Sequence, residues 1–220
     1  MKPVQTLAVI DFETTGLSPG LGARATEIAV VLLHDGAIVG QYQSLMKTGA
    51  RVPAFIEQLT GISNAMLADA PEAVQVMREL ANFTRGCPMV AHNAAFDRAF
   101  WQAELLRAEC EPDPEHQFVC TLLLARRLYP EAENCKLGTL ARHHRLPATG
   151  RAHRALADAM TTAHLLLQMQ GDVKQRFAKQ LAGQAVDHRL LRQMQRSSKS
   201  GLSRSVQQFG KEQQASDADC

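Results

Sequence analysis

Long hydrophobic runs are missing from this chain. The apolar stretches around Val30 to Leu33 and Leu122 to Ala125 fall far short of the roughly 20 residues that span a bilayer, so no membrane partner is expected. Two acids, Asp11 and Glu13, interrupt the first apolar run, which argues against a signal peptide. Cysteines are few and irregular. The five (Cys87, Cys110, Cys120, Cys135, Cys220) are odd in number and form no CxxC pair, which argues against a disulfide framework and a structural zinc site. Reduced thiols and a cytoplasmic location are the expectation. A broad excess of positive charge is absent too. The net charge is +2: residues 1–170 hold 15 Lys+Arg against 17 Asp+Glu, and residues 171–220 hold 9 against 5. A faintly acidic body that handles phosphates needs cations from elsewhere, and metal ions are the obvious source.

What is there reads as one domain over residues 1–170 and a basic, Gln/Ser-rich extension over 171–220. Leu7 to Phe12, Thr26 to Leu33 and Gly40 to Lys47 are β-rich runs with short connections, one of them the turn-like His34-Asp35-Gly36. Short connections favour antiparallel neighbours. Pro71 to Phe83 has helical spacing with Pro71 at its start. Met89 to Ala91 reads as a short buried strand. Phe96 to Arg107, Leu122 to Leu128, Leu137 to His144 and Ala155 to Met169 read as helices. The sum is an α/β fold, a mixed sheet with helices packed around it. In the extension, Val173, Phe177, Leu181, Leu190 and Met194 suit an amphipathic helix, and disorder is expected from Arg196 onward.

Three segments can carry chemistry. Asp11-Phe12-Glu13-Thr14-Thr15-Gly16 ends a strand, so Asp11 and Glu13 present two carboxylates on one face. Such a pair on a core strand is costly unless divalent cations neutralise it; alone, it reads rather as two acids exposed past the strand end. In His92-Asn93-Ala94-Ala95-Phe96-Asp97 a strand yields to a helix, and Asp97 alone would be a capping or dipole-complementing acid. In Arg151 to Ala159, His153 and Asp158 would diverge by ~140° if both were helical. They converge only if His153 stands in the loop before the helix or near its frayed start.

The order DxE, HNxxFD, HxxxxD resembles the DEDDh family of 3′→5′ exonucleases, which includes the proofreading (epsilon) subunits of bacterial DNA polymerase III and stand-alone relatives. The resemblance runs from about Leu7 to Met169 and includes Glu27-Ile28-Ala29, Leu59-Thr60-Gly61-Ile62 and Cys120-Thr121. Phe12 departs from it, since the family more often has a small residue there, and packing is the expected consequence. The resemblance implies an RNase H-like sheet of three antiparallel strands plus parallel ones. It implies that Asp11, Glu13, Asp97 and Asp158 hold two Mg²⁺ or Mn²⁺ ions, with Asp11 bridging, and that His153 is the general base. The product would be a nucleoside 5′-monophosphate.

The same resemblance places Thr14, Thr15 and Gly16 against the terminal nucleotide, with Leu17 and Ile62 as apolar surfaces around its base. His92, Asn93 and Phe96 are further candidate substrate contacts. The implied substrate is a single-stranded or frayed 3′ end of DNA, in proofreading or repair. RNA 3′-end trimming or degradation of short oligoribonucleotides shares these motifs, and a non-catalytic nuclease-like module of a polymerase complex is the alternative of another class. Residues 171–220 could dock onto a polymerase or sliding clamp, and Gln207-Gln208-Phe209 bears a faint likeness to a clamp-binding peptide.

Overall fold

Strand β1 (Leu7–Thr14) is buried along almost its whole length, because it is apolar towards both faces of the sheet. It pairs antiparallel with β2 (Ala25–His34), which pairs antiparallel with β3 (Ala37–Leu45). On its other side β1 pairs parallel with β4 (Met89–Ala91), and β4 pairs parallel with β5 (Phe118–Cys120). The strand order is therefore β3-β2-β1-β4-β5, a mixed five-stranded sheet as expected. At the β2–β3 turn, Asp35 and Gly36 take φ of 48° and 76°, the pair of positive values that a tight hairpin needs. The computed structural model describes residues 5–218, with side chains to 214; Cys220 lies outside the described residues.

Alternation along the strands builds two cores. Ala8, Ile10 and Phe12 of β1 with Ile28 and Val30 of β2 face α3 (Ala73–Phe83) and α4 (Ala94–Arg107). Leu7 and Val9 with Ala29, Val31 and Leu33 face the opposite layer, formed by α5 (Thr121–Leu128), α6 (Leu137–His143) and α7 (Ala155–Arg176). Asp11, Glu13 and Glu27 continue the rows of this second face by the period of two. Helix α7 lies across β1 and β2. Ala155, Ala159 and Ala163, all fully buried at four-residue spacing, let it approach the sheet closely. Among the described residues no helix is long and apolar enough to cross a membrane.

Several elements differ from the sequence reading. Helices α1 (Ala54–Thr60) and α2 (Asn64–Ala68) and strand β5 were not anticipated, because seven, five and three residues are too few to show a period. Helix α7 runs past Met169 to Arg176, across the boundary expected at residue 170. The amphipathic stretch after it is broken into α8 (Ala178–Leu181) and α9 (His188–Met194), with Ala182 and Gly183 at positive φ between them. Disorder from Arg196 is contradicted by α10 (Leu202–Ala218). The reason is apolar content: Leu190, Leu191, Met194, Leu202, Val206 and Phe209 join the same core as β1 and α7. Phe209 points inward, so Gln207-Gln208-Phe209 is not presented as a docking peptide.

A glycine in mid-helix normally costs about 1 kcal/mol relative to alanine. Gly210 in α10 sits where that helix crosses α8, and a Cβ there would lie 2.5 Å from the Gln180 carbonyl oxygen. Backbone cannot yield cheaply, so close packing outweighs propensity. Gly210→Ala is expected to lower the melting temperature although alanine is the better helix former. A raised melting temperature would show that α10 is not docked on α8.

Candidate active site

Asp11 and Glu13 stand on β1 facing α7, at the end of the sheet where β4 passes into α4. Register puts Glu13 directly opposite Glu27 of β2. Glu27 is 1 % exposed, and an acid so buried needs partners. Arg154 supplies a two-pronged pair, Nη2 to Oε1 at 2.7 Å and Nε to Oε2 at 3.1 Å. The Ala155 backbone N–H donates to Oε2 at 3.1 Å, and Gln43 Nε2 donates to Oε1 at 2.7 Å. Burial pushes the Glu27 carboxyl up, but these donors together hold it below its ordinary value. Arg154 is the N-cap residue of α7, so this contact pins the start of that helix to the sheet.

The pinning fixes the rest. Asp158 lies in the first turn of α7, and His153 precedes the helix with φ of 60°. That is a loop position that convergence allows. The His153 backbone N–H donates to Asp158 Oδ2 at 3.1 Å. Glu13, His153 and Asp158 each offer a possible ligand atom, and the three atoms lie within 4.8 Å of one another. Asp97 comes from the first turn of α4 and is 2 % exposed. Its side chain reaches across to the sheet, where Oδ1 accepts the Phe12 N–H of β1 at 3.2 Å. The Phe12 ring turns to the other face, 6.3 Å from that of Phe100, so its bulk is absorbed in packing.

The electrostatics are unfavourable for bare carboxylates. Burial first, then the charges of Asp97, Asp158, Glu13 and Glu27, pushes Asp11 well above the carboxylate range. Burial and the charges of Asp158 and Glu27 raise Glu13 to about 8 against the pull of Arg154. Burial raises Asp97 to about 8 despite the N–H donors of Phe12 and its own residue. Burial also raises Asp158, opposed by His153. Arg154 is committed to Glu27 and offsets Glu13 only in part, so four carboxylates whose charges oppose one another keep a negative excess; of these, Glu13 and Asp158 share a ligand group with His153, and Asp11 and Asp97 stand outside it. Such a donor set, with an imidazole at its rim, fits divalent cations.

The other candidates separate by exposure and partners. Thr14 donates its hydroxyl to the Gly16 carbonyl at 2.7 Å, and the Thr15 hydroxyl accepts the Arg24 N–H at 3.0 Å, so both shape the loop they stand in. Gly16 packs close to Ala23, and Leu17 beyond it is 88 % exposed. Asn93 adopts φ of 65° with an exposed side chain, and Phe96 is half-buried against Phe100. Ile62 is a correction. It is fully buried with Val52 and Leu67, filling the small core beneath α1 and α2, and offers no surface to a base. His92 is another. Its Nε2 meets the Cys135 carbonyl and its Nδ1 the Thr121 hydroxyl, both at 2.9 Å, so the ring donates from Nε2, accepts at Nδ1 and has no atom left for substrate.

Sequence reasoning passed over two supporting pairs. Glu27 stands in the sequence only as a family mark, and the signal for its pairing with Arg154 is an acid inside an otherwise apolar strand. Arg24 forks onto the buried Glu104 at 2.8 and 2.9 Å and reaches the Thr48 carbonyl at 3.1 Å. This ties the loop carrying Leu17 to α4. Gly61, with φ of 76°, has Arg151 over its α-carbon: a Cβ there would sit 2.9 Å from the guanidinium.

Comparison with known proteins agrees with this geometry. Residues 8–166 match the RNase_T exonuclease family. The chain is 37% identical over 175 residues to the PolC-type DNA polymerase III of Bacillus subtilis, covering 78% of this chain and 12% of that protein. It is 35% identical over 171 residues to the 3′-5′ exonuclease DinG of the same organism, covering 78% and 18%. The chain thus spans less than a fifth of either of these relatives. Among solved structures, exonuclease X in complex with 5′ overhanging duplex DNA aligns with a TM-score of 0.60 and 30% identity, over 75% of this chain and 91% of that one. The nuclease domain of 3′hExo, a DEDDh family member bound to rAMP, aligns with a TM-score of 0.65 and 18% identity, over 78% and 94%. At that identity it shares the RNase H-like fold.

Two expectations follow. Glu13 and Asp97 have folded values near 8 against ordinary values of 4.5 and 3.8, so the folded state holds their protons more tightly. Without divalent cations, stability is therefore full below about pH 4 and declines as pH rises towards about 8; Glu27 acts in the opposite sense at the acid end. Melting in EDTA should fall between those limits, and Mg²⁺ should raise it more at the alkaline end. A melting temperature in EDTA that is flat with pH contradicts this. Second, Glu27→Gln should weaken cation affinity or rate by about 10–100-fold, as loss of a positioning partner does, measured by cation titration.

Proposed function

As the chain belongs to the DEDDh exonuclease family, we propose that it hydrolyses phosphodiester bonds one nucleotide at a time from the 3′ end of a DNA strand, releasing nucleoside 5′-monophosphates. The observation that carries this is the gathering of carboxylates from three distant segments, with an imidazole beside them, at one end of the sheet. Asp11, Glu13, Asp97 and Asp158 would hold two Mg²⁺ or Mn²⁺ ions. Bound there, the pair supplies activation of water and charge stabilisation at the leaving oxygen.

The protein's own groups do the remainder. His153, exposed at the rim and held by its N–H to Asp158, takes the proton of the attacking water. Asp97, bonded to the β1 backbone, keeps α4 registered with the strand that carries Asp11 and Glu13. Leu17, projecting from the loop braced by Arg24 and Glu104, packs against the terminal base, and Gly16 leaves the backbone beside it open to close approach. The Asn93 side chain, at the start of α4, and the half-buried Phe96 ring one turn on complete the substrate edge. DNA is preferred over RNA on the strength of relatives that carry this domain in DNA polymerases, and of the DNA held by exonuclease X. The polymerase-docking role for residues 171–220 draws less support, since their apolar side chains are spent inside the fold.

The test is incubation of the purified protein with end-labelled single-stranded DNA and RNA, with and without EDTA. Shortening from the 3′ end only, faster on DNA, silenced by EDTA and restored by Mg²⁺ or Mn²⁺, is expected. Asp11→Asn should reduce cleavage to background with an intact fold. His153→Asn should lose about 100–10,000-fold in rate while cation binding persists. Normal turnover in the Asp11 variant would refute the assignment.

A further inference from the structure

The C-terminal extension exposes charge rather than apolar surface. Arg189, Arg192 and Arg196 recur at three- and four-residue spacing along α9 and the turn after it, and Arg204 stands across from them in the first turn of α10. Together they line an open cleft of about 720 Å³ to which no carboxylate of the described residues contributes. Arg189 pairs with Asp187 at 3.2 Å, but among the described residues Arg192, Arg196 and Arg204 form no ion pair. Three unpaired guanidinia around one cleft are what an anion with several oxygens would satisfy.

The cleft is fixed to the sheet. Gln195 accepts the Cys120 N–H at 2.7 Å and donates to the Phe118 carbonyl at 3.1 Å, occupying the free edge of β5. Arg127 donates to the Ser197 carbonyl at 2.6 Å and secures the following turn. β5 is two strands from β1, a lateral distance of about 10 Å. The body that carries the carboxylates is itself slightly acidic and repels a polyanion, so the attraction has to arise elsewhere.

We propose that the α9–α10 cleft is a second nucleic-acid contact, which grips the sugar–phosphate backbone of the substrate strand away from the bond being cut. This rests on the reading that the protein acts on nucleic acid. Guanidinium forks match phosphate oxygens two at a time. The grip is indifferent to base sequence and sensitive to salt.

The experiment separates gripping from cutting. Binding of a fluorescent single-stranded 20-mer is followed by anisotropy in the inactive Asp11→Asn background, with and without the triple change Arg192→Gln, Arg196→Gln, Arg204→Gln. The triple variant should bind about tenfold more weakly near 0.1 M salt, and the slope of log affinity against log salt should fall by about two, as loss of three phosphate contacts predicts. In the active background, the triple change should raise KM for the 20-mer and leave a dinucleotide substrate unaffected. Unchanged affinity and salt slope, with an unchanged melting temperature, would overturn the proposal and leave the cleft to an acidic protein surface. Since the binding arm needs no cleavage, it reads out even if the catalytic assignment fails.

Discussion

Carboxylates repel one another and resist leaving water, yet this fold crowds Asp11, Glu13, Asp97 and Asp158 at one end of its sheet. Around them the structure is arranged to make that crowding tolerable. The strongest support is the Glu27–Arg154 pair, which occupies the place directly across the strands from Glu13. It satisfies its own buried charge internally and so offsets the neighbouring acids only in part. The arginine that could have neutralised the cluster is used instead to fasten α7. The result is a local excess of negative charge, and small hard cations are the natural complement.

Geometry follows from few contacts because each element is short of freedom. The alanine row on α7 brings the helix close to the sheet, and the Glu27 contact sets where it begins. His153 then has to occupy a left-handed backbone conformation, unusual for a side chain with a Cβ, to turn back towards Asp158. From the other side, Asp97 is bolted to β1 by a single backbone bond. Two helices thus reach the central strand independently, and each carries one acid to it.

Much of this could be read from the sequence, because the central strand, the hairpin turn and the long helices announce themselves by period and by turn residues. Helical angles confined His153 to the loop before α7 or its frayed first turn, and the structure puts it in the loop. Other features were hidden for physical reasons. β5 and the short helices α1 and α2 contain too few residues to show a repeat. Ile62 and His92 are placed by tertiary packing, which turns one inward and occupies both nitrogens of the other. The extension looked polar because composition averages over a helix; its apolar residues, though sparse, fall on one side of α10 and find a core already waiting.

The amide of Gln195 has a consequence beyond fixing α9. By occupying the outer edge of β5 it imitates another strand, so the sheet cannot lengthen on that side. The opposite border is different. β3 runs nine residues, carries no charged side chain, and leaves Ile38 and Val39 open to solvent. Any strand added to this sheet, from another molecule or from an aggregating copy, has to enter at β3. The fold is closed to growth at one margin and open at the other.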